Sequence, residues 1–372
     1  GMKFGAFFVG QRPLLHEQYD DEHKANPNPV SRTDVQVYQD ILKGAELAEE
    51  LGFDSVWIAE HAFSEHSIIS SPHSLLSAIA ARTEKVQIGV ACTIVPWYSP
   101  LRFAQDVATI DIISGGRVVV GAGRGYQKRE FYIYGIDIAE SRDRFIEGMD
   151  IAIKAWTEER FSYSGQFFDF PEVMVIPKPV QQPTPPILMA VTHSPESVEI
   201  AVSNQWGLFT VGSSFFPASP DSDQNLISLY YRRMIDEGVA PDDIEVAAVR
   251  NVYVSNTDQE AVDLLTPRLE WAGDMGEFLR RPVSDMANAP GGLRGYENYV
   301  RDPFIEHELL EERGKEGMAA IGSPEKVTQA IKELENNHVT NFISYLDAGG
   351  LDFDQVSSSL RLFAEKVIPN FR

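Results

Sequence analysis

The sequence predicts an α/β fold, a (β/α)8 TIM barrel with an insertion late in the chain. Three observations carry that expectation. Apolar runs of strand length alternate with amphipathic helical stretches, the runs number about eight over the 372 residues, and Gly or Pro marks many of the junctions. On pattern alone, a doubly wound parallel sheet stays open as the runner-up.

The first strand is the apolar run over 3–9, followed by a loop rich in Pro, Asn, Asp and His over 11–33. Val37, Ile41, Ala45, Leu47, Ala48 and Leu51 then recur at helical spacing and stop at Gly52, a natural C-terminal cap. A strand over 55–59, a helix over 75–81, a strand over 86–95 and a helix over 101–113 follow, the last broken by Gly115-Gly116. A strand over 117–121 and a helix over 144–156 complete four β-then-α units. Parallel neighbours need such crossovers, so these units imply a parallel sheet covered by helices.

Further on, aromatics flank Ser164-Gly165 within 161–175, which suggests a hairpin. The stretch 177–186 is too proline-rich for either regular structure and reads as a stiff connector. Strands over 187–191, 208–211 and 244–254 alternate with helices over 195–203, 225–237 and from Gln259 onward. Pro, Gly and charge break the alternation over 267–320, which reads as an insertion or lid. A helix over 324–335, a strand over 342–346 and a helix over 353–367 restore it, so 2–372 is expected to form a single barrel domain.

Composition narrows the function. Apolar residues make up 43% and charged residues 23%, the balance of a globular protein able to bury a large core. With 32 Lys plus Arg against 55 Asp plus Glu, the net charge is −23. Such a surface repels phosphate backbones and anionic lipid, so neither nucleic acid nor a membrane surface is an expected partner. Cys92 is the single cysteine, which excludes an internal disulfide and fits a reducing compartment. The N-terminal apolar run lacks a cleavage site and no stretch approaches 18 apolar residues, so a cytoplasmic location is expected.

Three motifs carry chemistry. Glu60-His61-Ala-Phe-Ser-Glu-His66 begins where the second strand ends, and the carboxyl ends of barrel strands are where catalytic groups converge. A histidine there can move protons near neutral pH; the plainer reading is a loop histidine bonded to backbone. His61, His66 and His73 do not share the i, i+4 spacing of a helical metal pair, and no metal is expected.

Gly121-Ala-Gly-Arg-Gly125 follows the fourth strand and resembles a phosphate-approaching turn. It is not the dinucleotide fingerprint, whose third glycine would fall at Tyr126, nor a P-loop. Arg124 could clamp a phosphate or could be a surface arginine on a tight turn. Thr192-His193-Ser194-Pro-Glu-Ser197 follows the fifth strand; Ser194 before Pro195 is a helix-start signal that also suits an anion. In a barrel, Arg124 and the Ser194/Ser197 pair stand side by side.

Taken together, these residues resemble a known family. Gly52-Phe-Asp-Ser-Val-Trp-Ile-Ala-Glu-His61, Val86-Gln-Ile-Gly-Val-Ala-Cys-Thr-Ile-Val-Pro96 and Ser114-Gly-Gly-Arg-Val-Val-Val-Gly-Ala-Gly-Arg-Gly125 are similar to the bacterial luciferase-like flavin monooxygenases. Ser141-Arg142, Pro177-Lys-Pro, Ile321-Gly-Ser-Pro324 and the C-terminal helix continue the resemblance, which is weakest over 212–300.

The resemblance implies a barrel that binds reduced FMN, supplied by a separate reductase, and reacts it with O2 to a flavin 4a-peroxide that oxidises a small organic substrate. It implies a catalytic role for His61, and phosphate contacts from Arg124, Ser194 and Ser197, with His193 in the same segment. Arg142 would be a second cation, and Ala91–Cys92 falls where the family often has a non-proline cis peptide beside the isoalloxazine. It also implies a homodimer formed through the helices around 74–81 and 101–113. A deazaflavin-dependent oxidoreductase and a catalytically silent flavin-binding protein are the rivals. In one departure, Ala62 stands where many relatives carry a second histidine.

Overall fold

The structure, a computed structural model, describes residues 1–13, 31–192, 194–211, 225–280 and 319–372. Its strands are β1 (Lys3–Phe8), β2 (Ser55–Ile58), β3 (Gln87–Ile94), β4 (Val118–Gly123), β5 (Phe161–Ser164), β6 (Asp169–Val173), β7 (Ile187–Val191), β8 (Gly207–Val211), β9 (Val246–Val254), β10 (Ala319–Gly322) and β11 (Asn341–Tyr345). Strands β1, β2, β3, β4, β7, β8, β9 and β11 pair in parallel in that order, and β11 pairs back onto β1. The sheet therefore closes, as a (β/α)8 barrel does, and the doubly wound alternative, which leaves two free edges, is overturned.

Each barrel strand is buried on both faces. Inward-pointing Phe7, Trp57, Val119, Leu188, Phe209, Ala247 and Ile343 fill the barrel. Their outward neighbours Phe4, Phe8, Val56, Ile58, Val118, Val120 and Phe342 meet the helices. This two-residue alternation inside near-continuous apolar runs is the signature of parallel strands covered on both sides.

The helices are α1 (Asp34–Glu50), α2 (Pro72–Arg82), α3 (Pro100–Ser114), α4 (Lys128–Tyr134), α5 (Ser141–Thr157), α6 (Pro195–Ser203), α7 (Leu226–Asp236), α8 (Asp258–Arg280), α9 (Pro324–Asn336) and α10 (Phe353–Leu362). Thr33 and Gln36 form a capping box on α1, and Gly115, at φ 70°, closes α3. Strands β5 and β6 form the expected hairpin.

Three features differ from the sequence expectation. The break at Pro267 does not occur, because α8 runs through it to Arg280. Proline forfeits one hydrogen bond of the helix there, and the buried side chains of Leu265, Leu269, Trp271 and Met275 hold the helix against the barrel. The remainder of the expected insertion, 281–318, lies outside the described residues, as do 14–30 of the first loop. The short β10 and α4 have no counterpart in the predicted elements; β10 pairs with the far half of β9, from Asn251↔Ala319 to Val254↔Gly322. Among the described residues, no helix is long and apolar enough to cross a membrane.

Candidate active site

His61 follows the end of β2, at the carboxyl mouth of the barrel. Its backbone N–H donates to Ile69 O at 3.2 Å, and its Nδ1 lies 3.1 Å from Glu130 Oε1. Glu130 sits in the first turn of α4, only 2% exposed, and the same oxygen accepts the Ala62 N–H at 2.7 Å. A carboxylate only accepts, so Nδ1 carries a proton, and in the neutral ring Nε2 then keeps its lone pair. The loop after His61 turns back at Phe63, where φ is 65°, and brings the His66 ring edge-on to His61 with centroids 4.8 Å apart. The ring of Tyr126 lies 5.9 Å from that of His61. A second imidazole thus reaches His61 from position 66 although position 62 is Ala.

On the next strand, β3, the Ala91–Cys92 peptide is cis. The pairing of β3 with β4 shifts register between Val90 and Thr93. A Cβ on Gly121 would overlap the Val90 carbonyl oxygen, and one on Gly123 would overlap Cys92 Sγ. These two glycines therefore lie inside β4 and serve close strand approach, which corrects the reading of the whole Gly121–Gly125 run as a turn. Only Gly125, at φ 80°, is a turn glycine by conformation. Burial, reinforced by the nearby Glu60 carboxyl, pushes the Cys92 thiol up to about 12, so it is no nucleophile near neutral pH.

Around this part of the wall the last inward side chains are small: Ala59, Ala91 and Ala190, with Gly123 between the last two. Across the barrel, Asn251 on β9 pairs with Tyr345 on β11. Asn251 Oδ1 is buried and accepts no hydrogen bond among the described residues.

Arg124 follows the last residue of β4, and β4 pairs with β7 through Ala122↔Met189. Beyond β7, Ser194 caps α6, its Oγ accepting the Ser197 N–H at 3.2 Å, and Ser197 is buried. Arg142, in the first turn of α5, donates to Glu196 Oε2 in the first turn of α6 at 2.8 Å. Arg124, Arg142, Ser194 and Ser197 thus belong to neighbouring elements at one side of the mouth, whereas His193 lies outside the described residues.

His73 does not join the site. It is buried on α2, with Nε2 3.3 Å from Thr93 Oγ1, and burial pushes it down to about 4. Glu60 turns away from His61: it accepts the Ile94 N–H at 2.7 Å and a hydrogen bond from Tyr98, and burial pushes its carboxyl up to about 8. With His73, Trp97, Asp106 and Tyr134 it lines a cavity of about 320 Å³ beside α2 and α3. Sequence reasoning missed Glu130, since a lone carboxylate 69 residues from its partner carries no distinguishing spacing.

A family model described as luciferase-like monooxygenase matches residues 2–341. The chain is 24% identical, over 91% of each chain, to the oxygenase component of a flavin-dependent trigonelline monooxygenase from Acinetobacter baylyi. Among solved structures it superposes on the monooxygenase RslO1 from Streptomyces bottropensis with TM-score 0.77 and 28% identity, covering 100% of both. It also superposes on the oxygenating constituent of 3,6-diketocamphane monooxygenase from Pseudomonas putida, solved with FMN, with TM-score 0.71 and 22% identity over 100% and 99%.

Proposed function

The chain belongs to the luciferase-like monooxygenase family, and from that premise we propose that it is the oxygenase of a two-component system, taking reduced FMN from a separate flavin reductase and using O2 to oxidise a small organic substrate. The observation that carries this reading is the pairing of His61 with buried Glu130 at the barrel mouth, which leaves Nε2 available for proton traffic. The oxygenase wording in the names of the trigonelline and diketocamphane proteins supports it, and no nicotinamide fingerprint is visible in this chain.

The residues present fit a flavin. Ala59, Ala91 and Ala190 present only methyl groups to a planar ring, with Ala91 and Cys92 as its backing, and Asn251 Oδ1 offers an acceptor for a ring N–H. The amides and hydroxyls at the start of α6, with Arg124 and Arg142 from neighbouring elements, suit a phosphate dianion. His193 belongs to that segment. When bound, reduced flavin supplies the two electrons that activate O2. His61 Nε2 takes up or returns the proton, and Glu130 balances the imidazolium charge. A homodimer through α2 and α3, a cytoplasmic location and a lid formed by the late insertion complete the proposal.

The test is to add O2 to the protein loaded anaerobically with FMNH2, over a panel of organic substrates. Oxygen from labelled O2 should appear in product. Turnover with a deazaflavin and no O2 uptake would replace this reading by hydride transfer, and binding without turnover would leave a silent flavin-binding protein.

A further inference from the structure

Arg142 and Glu196 stand 54 positions apart in the chain and meet where the first turn of α5 faces the first turn of α6. Arg142 Nη1 donates to Glu196 Oε2 at 2.8 Å, and the two side chains are 45% and 64% exposed. An ion pair so open to water adds little to the fold, because salt screens it and two long side chains lose freedom in holding it. Its place gives it another meaning. Arg142 is one of the cations that the proposed function assigns to the FMN phosphate, and that cation is held by a carboxylate. Carboxylate and phosphate oxygens accept the same guanidinium hydrogens, so FMN has to take Arg142 over from Glu196.

We propose that Glu196 sets the affinity for FMN: its carboxylate competes with the phosphate for Arg142, so FMN binds more weakly and leaves faster than the cations alone would allow. This rests on the phosphate role that the proposed function gives Arg142. The chain carries a net charge of −23, and Glu196 adds a negative charge beside a group that has to receive a dianion. An oxygenase fed by a separate reductase takes up a reduced flavin in each turnover and has to let the oxidised one go. A weak internal rival suits that traffic, since the exposed pair breaks readily when FMN arrives and forms again when it departs. The plainer reading makes Glu196 an acid that complements the dipole of α6 from its first turn. That role makes no demand on FMN affinity.

Glu196→Gln keeps the side-chain length and an acceptor oxygen and removes the charge. Oxidised FMN and riboflavin are titrated by fluorescence, and FMN dissociation is followed by stopped flow. FMN should bind about three- to fivefold tighter in Glu196→Gln, the upper range for an exposed ion pair, with a matching fall in its dissociation rate. Riboflavin binding should not change, and the FMN gain should shrink as salt is raised. In an Arg142→Gln background, where the contested cation is gone, adding Glu196→Gln should bring little further gain. Unchanged or weaker FMN binding in Glu196→Gln overturns the proposal and leaves the dipole role. An equal gain with and without Arg142 overturns the competition. If Arg142→Gln alone weakens FMN no more than riboflavin, the phosphate role of Arg142 itself falls, and that single variant tells the two failures apart.

Discussion

Cys92 and Gly123 lie so close across β3 and β4 that position 123 has no room for a side chain. A Cβ there would overlap Cys92 Sγ and stand 3.4 Å from Ala190 Cβ. The contact lies at the register shift between Val90 and Thr93 in the pairing of β3 with β4. The same crowding keeps this part of the mouth lined by small residues.

Gly123→Ala should therefore destabilise the fold by about 1–3 kcal/mol, the usual cost of overpacking a filled site. Cys92→Ala removes the overlapping sulfur, and the double variant should recover most of the loss. Urea denaturation of both singles and the double checks this as a cycle. Additive losses would mean that the strain lies elsewhere.

Arg124→Ala should weaken FMN by about 10- to 100-fold, the scale of a lost charge-assisted hydrogen bond, and riboflavin hardly at all. Only FMN carries the dianion that the arginine would recognise. Fluorescence titration of both ligands decides it, and equal losses would remove Arg124 from the phosphate site.

Two buried groups away from the mouth should shape stability against pH with opposite slopes. Burial raises Glu60 from 4.5 to about 8, so the folded state holds a proton that the unfolded chain has released. Its contribution is complete below 4.5 and is lost as pH rises towards 8. Burial lowers His73 from 6.5 to about 4, so its contribution is complete above 6.5 and is lost as pH falls towards 4. Glu60→Gln should flatten the neutral limb of urea midpoint against pH, and His73→Phe the acid limb. Unchanged profiles in both would refute the linkage.

The assembly prediction changes ground once the packing is known. Leu75, Leu76, Ile79 and Ala80, the large and apolar share of α2, are all buried within the single chain. Besides Arg82 at its end, α2 leaves outside the small residues Ser74, Ser77, Ala78 and Ala81, and α3 adds Ile112 and Ile113, 45% and 49% exposed. Replacing both isoleucines by Glu should dissociate a homodimer, as read by sedimentation at micromolar concentration. A wild-type chain already monomeric there refutes it.

The barrel strands are legible in sequence because burial on both faces writes them as apolar runs such as Val118–Gly123. The seven-residue α4 is not, since Tyr132, Ile133 and Tyr134 are exposed and blur its helical periodicity. His61 is legible from its place at a strand end, whereas Glu130 stands 69 residues away and its partnership exists only once the barrel closes. Position 66 hides for a similar reason: the turn at Phe63 brings its ring onto His61, and no fixed spacing announces that turn. The glycines of β4 are visible, but their purpose, accommodating Cys92 and the Val90 carbonyl, depends on a register that sequence does not state.

His61 should be separable from flavin binding. The proposed phosphate contacts come from Arg124, Arg142, Ser194 and Ser197, beyond β4 and β7, whereas His61 follows β2 and is held by Glu130. His61→Ala should accordingly keep FMN affinity within a few-fold while lowering substrate oxidation about 10²-fold, the lower end of general acid–base contributions. Release of hydrogen peroxide should rise, because reduced flavin and O2 still meet while the proton transfer that commits them to substrate is lost. Glu130→Gln should show the same direction with a smaller loss, since the amide can still orient the ring and only the charge opposite the imidazolium disappears. The measurement is product formed per FMNH2 consumed, with flavin binding titrated separately in each variant. A His61→Ala protein that stays fast and fully coupled would reduce His61 to a loop histidine held by Glu130 for structure alone.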